Sequence, residues 1–322
     1  MNNIYKPEGS IIYTPENYEY VSSLQGLEKA AASGKILEAN AVLCDENCRL
    51  HVDIGGIRGY IEREECVYRR EGESLKDIAI ITRVGKPVCF KVLRIERDHF
   101  GQYAVLSRKE AQRECVRNYL SDIMCGDIIP AKVTHIESFG AFVDIGCGIA
   151  SLLSIDCISV SRISHPRDRL SVGMQINVVV KSIDRDNGRI FVSLRELLGT
   201  WEENASEFTP GSTVAGIIRS VESYGIFVEL APNLAGLAEL REASSLSFSA
   251  SSKIGHTAAV YIKSIIPEKM KIKLVLIDSG EKCTEPMPLK YYIDSSRVKH
   301  IDRWVYSPSV CGKIIKSEFE KY

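Results

Sequence analysis

The sequence predicts an all-β chain of three tandem five-stranded barrels, joined by short helices and followed by a small C-terminal extension. Three observations predict it. Short runs alternate apolar and polar residues, as in Ala131 and Val133 against Lys132 and Thr134, or Ile190, Val192 and Leu194 against Arg189, Phe191 and Ser193; period two marks half-buried strands. Glycines and the Asn187-Gly188 step punctuate these runs, and Asn-Gly is a strong hairpin signal. The whole pattern recurs: a stretch opening at Gly126 has a close copy opening at Gly211 and a worn copy opening at Gly34.

Composition bounds the answer. The chain has 322 residues, room for two or three domains, and its 45% hydrophobic content is that of a globular protein. No apolar run approaches the roughly 20 residues of a membrane span. The start, Met1 to Lys6, lacks a signal-peptide pattern, so a cytoplasmic location is the default expectation. The 41 basic and 42 acidic residues balance, which argues against binding nucleic acid mainly by phosphate neutralisation. Any RNA contact must then rest on stacking and local basic strips. Ten cysteines are scattered; Cys44 and Cys48 are spaced like half a metal site, but no second close pair completes one, and no metal or cofactor is expected.

In chain order, residues 1–32 are a leader too short for its own core, either an arm on the first barrel or a loose tail; Tyr5, Tyr13, Tyr18 and Tyr20 favour packing. Residues 33–106 form the first, degenerate barrel. Residues 107–125 place Ala111, Cys115, Tyr119 and Ile123 on a helical stripe. Residues 126–196 are the second barrel, where Ile176, Val178 and Val180 should face inward and Asn177, Val179 and Lys181 outward. Residues 197–208 continue a second helical stripe, Leu194, Leu197, Leu198, Trp201, Ala205 and Phe208. Residues 209–277 are the third barrel. Residues 278–322 form an extension, with a break at Pro286 and Pro288, that interleaves Arg297, Lys299, His300, Arg303, Trp304 and Tyr306. It reads either as an RNA-contacting segment or as a cap on the third barrel, and its last seven residues suit a short helix.

Five strands in about 70 residues are too few for a sandwich and fit the OB-fold. In the second barrel Phe139 and Phe142 are three apart, so strict alternation puts them on opposite faces. A bulge at Gly140 could bring both outward, where exposed rings stack bases. The competing reading makes one ring core and the other a loop rim. The third barrel repeats the pattern with Tyr224 and Phe227. On its last strands Tyr261, Lys263, Lys271 and Lys273 alternate outward, a basic strip or merely a solvated face.

The stretch from Gly126, through Phe139-Gly140-Ala141-Phe142-Val143, to Asp184, Gly188-Arg189-Ile190 and Val192-Ser193-Leu194 resembles the S1-type RNA-binding domain. Arg162, His165-Pro166 and Leu170, and the Trp201-Glu202-Glu203 linker, resemble the tandem copies of the bacterial ribosomal protein S1 family, although Thr200 replaces the usual proline. The resemblance implies an RNA face of Phe139, Phe142, Ser154, Asp184 and Arg189, with Ser154 where the family often has His. Lys132 and Lys181 are the nearby cations. In the third copy it implies Tyr224, Phe227, Lys263 and Lys271, with Glu239 at the His position, Ile266 in place of the Asp and Lys271 in place of the Arg. In the first copy Cys48 and His51 occupy the ring positions and Gln102 that of Arg189, so that barrel should be poor in RNA contacts.

The resemblance thus implies a non-enzymatic protein of the translation apparatus that binds single-stranded RNA or mRNA, with the small ribosomal subunit as a candidate partner, no membrane and no small-molecule substrate. A nuclease would need clustered carboxylates or a nucleophile with its base; Asp184 and Asp186 are close but lie in the hairpin that the family uses for RNA. The remaining alternative is an adaptor or regulator acting away from the ribosome.

Overall fold

A computed structural model describes residues 4–70, 72–239, 253–283 and 285–319. Their contacts divide into two compact units: residues 1–123 with 130–132 and 144–150, and the rest.

The first unit begins with two leader helices, α1 (Pro15–Val21) and α2 (Leu24–Ser33). Thr14 and Ser23 cap them by accepting N–H bonds from Asn17 and Gly26, and Gly34 ends α2 in the left-handed conformation that glycine adopts without strain. Next come β1 (Leu37–Cys44), β2 (Leu50–Ile54), β3 (Ile57–Ile61), the single turn α3 (Ile78–Ile81), β4 (Pro87–Asp98) and β5 (Gly101–Ser107). The strands close in the order β1-β2-β3-β5-β4. Leu27 and Ala30 of α2 pack on Leu37, Leu50, Ile54, Phe90 and Leu106 inside, so the leader is part of this barrel's core.

Polar groups do as much as tyrosines in holding the leader; Tyr5 is buried, but Tyr13 and Tyr18 are exposed. The buried Glu38 carboxylate accepts the N–H groups of Gly9, Ile11 and Ile12, each at 3.0 Å. Asn17 pairs with the Glu38 backbone in both directions at 2.9 Å. Glu8 is buried against Arg108, with bonds of 2.6 and 2.9 Å, and its own N–H donates to Asp144 at 2.7 Å. Burial works against the Glu8 charge, but Arg108 outweighs it and holds the carboxyl below its usual range. Arg108 opens α4 (Arg108–Cys115), which widens into one π-helical turn over Val116–Leu120.

The second barrel is built from β6 (Ile128–Glu137), β7 (Gly140–Asp144), β8 (Ala150–Ser154), β9 (Gln175–Asp184) and β10 (Arg189–Ser193). The third uses β11 (Thr213–Glu222), β12 (Gly225–Ala231), β13 (Leu234–Glu239), β14 (His256–Ile266) and β15 (Lys271–Lys282). Both close in the order of the first, so one topology is used three times, which is the OB-fold reading.

In the second unit the linker is not one helix. Arg195–Leu198 is a 3-10 turn, the chain breaks at Gly199 (φ 83), and Thr200 starts α5 (Trp201–Ala205) with a capping box to Glu203. Trp201 buries its ring in the third barrel's cluster. The outward position expected for Val179 is also corrected: it is buried, because Phe319, Tyr291 and Ile301 of the extension cover it together with Ile128 and Leu197. Of the two readings of the extension, the cap describes Trp304 and Tyr306, which join the third barrel's cluster with Tyr306 hydrogen-bonding the Asn233 carbonyl. The expected terminal helix is instead a strand: β16 (Arg303–Val305) pairs with β17 (Lys316–Glu318), and Phe319 is buried; Glu320 to Tyr322 lie outside the described residues. A buried pair, Arg169 with Glu229, ties the loop before β9 to β12.

Candidate nucleic-acid interface

Three ring clusters stand on the barrels. On the second, Phe139 is 53% exposed, Phe142 is half-buried, and the rings meet edge to face with centroids 6.1 Å apart at 88°. Neither ring is buried core. On the third, Tyr224 is 60% exposed and meets Phe227 at the same 6.1 Å and 88°. Edge-to-face rings leave a ring face available to a further π-system.

The glycine between the rings matters for a reason the sequence did not reveal. Gly140 has no positive φ; a Cβ there would lie 2.5 Å from the Leu153 carbonyl oxygen and 2.9 Å from Ser154 Cα. Gly225 repeats this, 2.7 Å from the Ala238 oxygen. Gly140 thus lets neighbouring strands approach closely, and the bond from Ile155 N–H to the Phe139 carbonyl at 2.9 Å seals that approach. The same approach puts Ser154 beside the backbone of the ring pair.

Spacing alone missed one member of this cluster. His135, exposed on β6, lies nearly parallel to Phe142 with centroids 6.4 Å apart and meets Glu137 at 2.6 Å. Its alternation against the buried Ile136 was the signal that could have found it.

Asp184 sits opposite Arg189 at the mouth of the β9–β10 hairpin. Its carboxylate accepts the Asn187 backbone N–H at 3.0 Å and the side-chain amide at 2.8 Å, and these bonds hold its pKa below the ordinary value. Its visible task is to shape the turn that presents Arg189, which is exposed. The two lysines are engaged elsewhere: Lys132 donates to the Glu8 carbonyl at 2.9 Å, and Lys181 reaches the Cys157 sulfur at 3.1 Å.

The third barrel carries a cationic margin. Lys271 is exposed opposite Ile266, in the register that Arg189 keeps with Asp184, and Lys263 is exposed on β14. Glu239 is paired with Lys273 at 3.3 Å, so this carboxylate carries its own counter-ion. Phe227, Leu237 and Lys273 follow one another across β12, β13 and β15.

The first barrel is not bare of rings. His51 meets Tyr60 edge-on at 4.7 Å, and Tyr60 meets Tyr103 at 5.3 Å. Registers correct one correspondence. Val105 opposes Tyr60 as Phe191 opposes Leu152, so the counterpart of Arg189 is Tyr103, not Gln102, and it faces Glu96 as Arg189 faces Asp184. The cations here are neutralised locally: Arg49 with Glu62 at 3.0 Å, Arg58 with Asp98 at 2.7 Å and Arg94 with Glu96 at 2.5 Å.

Residues 122–195 match the family model described as "S1 RNA binding domain". Over 240 residues the chain is 30% identical to the small ribosomal subunit protein bS1 homolog of Bacillus subtilis (strain 168), covering 72% of this chain and 60% of that protein. It is 26% identical over 299 residues to the small ribosomal subunit protein bS1 of Staphylococcus aureus (strain MRSA252), covering 89% and 74%. Among solved structures, that of GSP13 from Bacillus subtilis is 26% identical over 28% of this chain and 62% of its own, with a TM-score of 0.22. The chain thus spans about three fifths of the length of the first relative, 60%. Among the described residues no helix is long and apolar enough to cross a membrane.

Proposed function

We propose, from the premise that the chain belongs to the S1 RNA-binding-domain family, that it binds single-stranded RNA without catalysing a reaction and works in the translation apparatus, as its relatives named bS1 suggest by their names. The observation that carries this reading is the repeated ring pair, Phe139 with Phe142 and Tyr224 with Phe227, at one distance and angle in two barrels. Exposed rings cost solvation unless something covers them, and every base has a face that can stack on them. Arg189, exposed on the barrel of the first pair, and Lys263 and Lys271, exposed on that of the second, would supply cations for the phosphates between stacked bases. Ser154, Asp184, Lys132 and Lys181 complete the proposed face, Asp184 by holding the turn and the two lysines only after leaving their present partners. No membrane and no small-molecule substrate enter this reading, and the location it implies is the cytoplasm. The small ribosomal subunit is the candidate macromolecular partner; a regulator acting away from the ribosome is the alternative, and sedimentation with or without ribosomes separates the two.

The test of RNA class compares an unstructured oligomer with a hairpin stem of equal length. A-form duplex hides its bases from a stacking face. Tighter binding of the unstructured oligomer is expected; equal affinity removes the stacking account.

A further inference from the structure

We propose that Glu137 and Glu222 make the two barrels with exposed ring pairs select among bases, favouring cytosine over uracil by accepting a hydrogen bond from its exocyclic amine. The inference rests on the RNA reading above. It adds a preference that stacking does not give, because stacking tolerates any base.

The two glutamates hold one position in two barrels. Glu137 ends β6 and Gly140 opens β7, with Ser138 and Phe139 between them; Glu222 ends β11 and Gly225 opens β12, with Ser223 and Tyr224 between them. In the third barrel Glu222 pairs with Gly225 and Ser220 with Phe227, so the glutamate and Phe227 share one face of the sheet. In the second, His135 and Glu137 are both exposed on either side of the buried Ile136. Glu137 Oε1 meets His135 Nε2 at 2.6 Å, and the His135 ring lies nearly parallel to that of Phe142. Each ring pair therefore has a carboxylate on its own face.

Both carboxylates are open to solvent. His135 engages only Oε1 of Glu137, and the exposed Glu222 side chain has no hydrogen-bond or ionic partner among the described residues. The first barrel treats its acid differently. Asp45 stands as far from Gly34 as Glu137 does from Gly126. Its carboxylate accepts Asn47 N–H at 3.0 Å and Arg49 N–H at 2.9 Å and meets His51 Nε2 at 3.1 Å, so it is occupied by its own turn.

A free carboxylate on a face that receives RNA repels phosphate. It only accepts hydrogen bonds, so it favours binding only where the ligand brings a donor. Unstacked bases present such donors on their edges. Cytosine N4 donates, whereas O4 at the same place on uracil is an acceptor and would face the carboxylate unpaired. The two pyrimidines share one ring size, so stacking separates them little. The 2′-hydroxyl also donates, but both nucleotides carry it, and it gives no preference between them.

The test titrates the full chain with labelled oligocytidine and oligouridine of equal length, at neutral pH and one ionic strength. Oligocytidine should bind about tenfold more tightly, the worth of a hydrogen bond to a charged group. Glu137→Ala with Glu222→Ala in one protein should bring the ratio of the two affinities close to one. Removing two negative charges strengthens the binding of both oligomers alike, so the ratio isolates the reading of the base. Glu137→Gln with Glu222→Gln keeps an acceptor oxygen without the charge and should retain part of the preference. Equal affinity of the unsubstituted chain for the two oligomers, or a ratio that survives in the alanine variant, overturns the proposal and leaves the RNA reading standing. Binding of neither oligomer overturns both.

Discussion

The second and first barrels have the same strand order and each carries a cluster of rings, on different strands, yet they treat charge in opposite ways. On the second, Phe139, Phe142 and His135 form a ring cluster on a barrel that also exposes Arg189, whose facing Asp184 is hydrogen-bonded by Asn187. On the first, His51, Tyr60 and Tyr103 are ringed by Arg49, Arg58 and Arg94, each closed onto a carboxylate. A phosphate arriving at the first face must break an ion pair to find a cation. On the proposed reading, the difference means that rings alone would not make an RNA face; a cation on the same barrel would have to be available as well. The third barrel stands between the two, with the ring geometry of the second and one of its lysines already paired to Glu239.

The largest expected effect separates stability from binding. Glu8→Ala leaves the Arg108 guanidinium buried without its carboxylate, and losing one partner of a buried pair costs about 3–5 kcal/mol. Urea unfolding should show that loss, while RNA affinity at low denaturant stays within twofold if the first barrel lies outside the binding face. A parallel loss of affinity would bring the first barrel into that face.

Next comes the third barrel. Replacing Tyr224 and Phe227 together by alanine should weaken oligomer binding by about 1–3 kcal/mol, since each stacked base is worth about that much and Lys263 and Lys271 still hold phosphate. An effect larger than that of the Phe139 and Phe142 pair would reverse the ranking of the barrels. The smallest effect distinguishes two histidines that both touch rings. His135→Ala should cost about 1 kcal/mol of RNA affinity, and His51→Ala nothing measurable, both read by fluorescence titration of a labelled oligomer. Equal losses would erase the contrast drawn from the ion pairs.

The fold was legible because period-two runs, turn glycines and a repeat speak directly of strands and closure. What escaped depended on contacts far apart in the chain. Val179 reads as an outward residue until Phe319 and Tyr291 arrive from the extension to cover it. Gly140 reads only as a place for a bulge, because spacing cannot show that the Leu153 carbonyl oxygen would lie 2.5 Å from a Cβ there. The leader's hold rests on Glu8 and Glu38, charged residues that a pattern of apolar positions assigns to the surface. The ring pairs are legible as residues but not as a geometry, and Tyr60 and Tyr103 escape because they stand at positions that carry Leu152 and Arg189 in the second barrel.

The central claim is that Phe139 and Phe142 lie outside the core and carry the RNA contact of the second barrel. The most direct measurement is RNA affinity and melting temperature on one Phe139→Ala, Phe142→Ala protein. The account predicts a loss of about 2–5 kcal/mol in affinity for an unstructured oligomer, allowing for coupling between neighbours, with the melting temperature changed by only a few degrees. Core Phe→Ala changes cost about 3–5 kcal/mol of stability each. A protein that melts far earlier with no separate affinity loss, or one that stays folded and binds RNA as before, would contradict it.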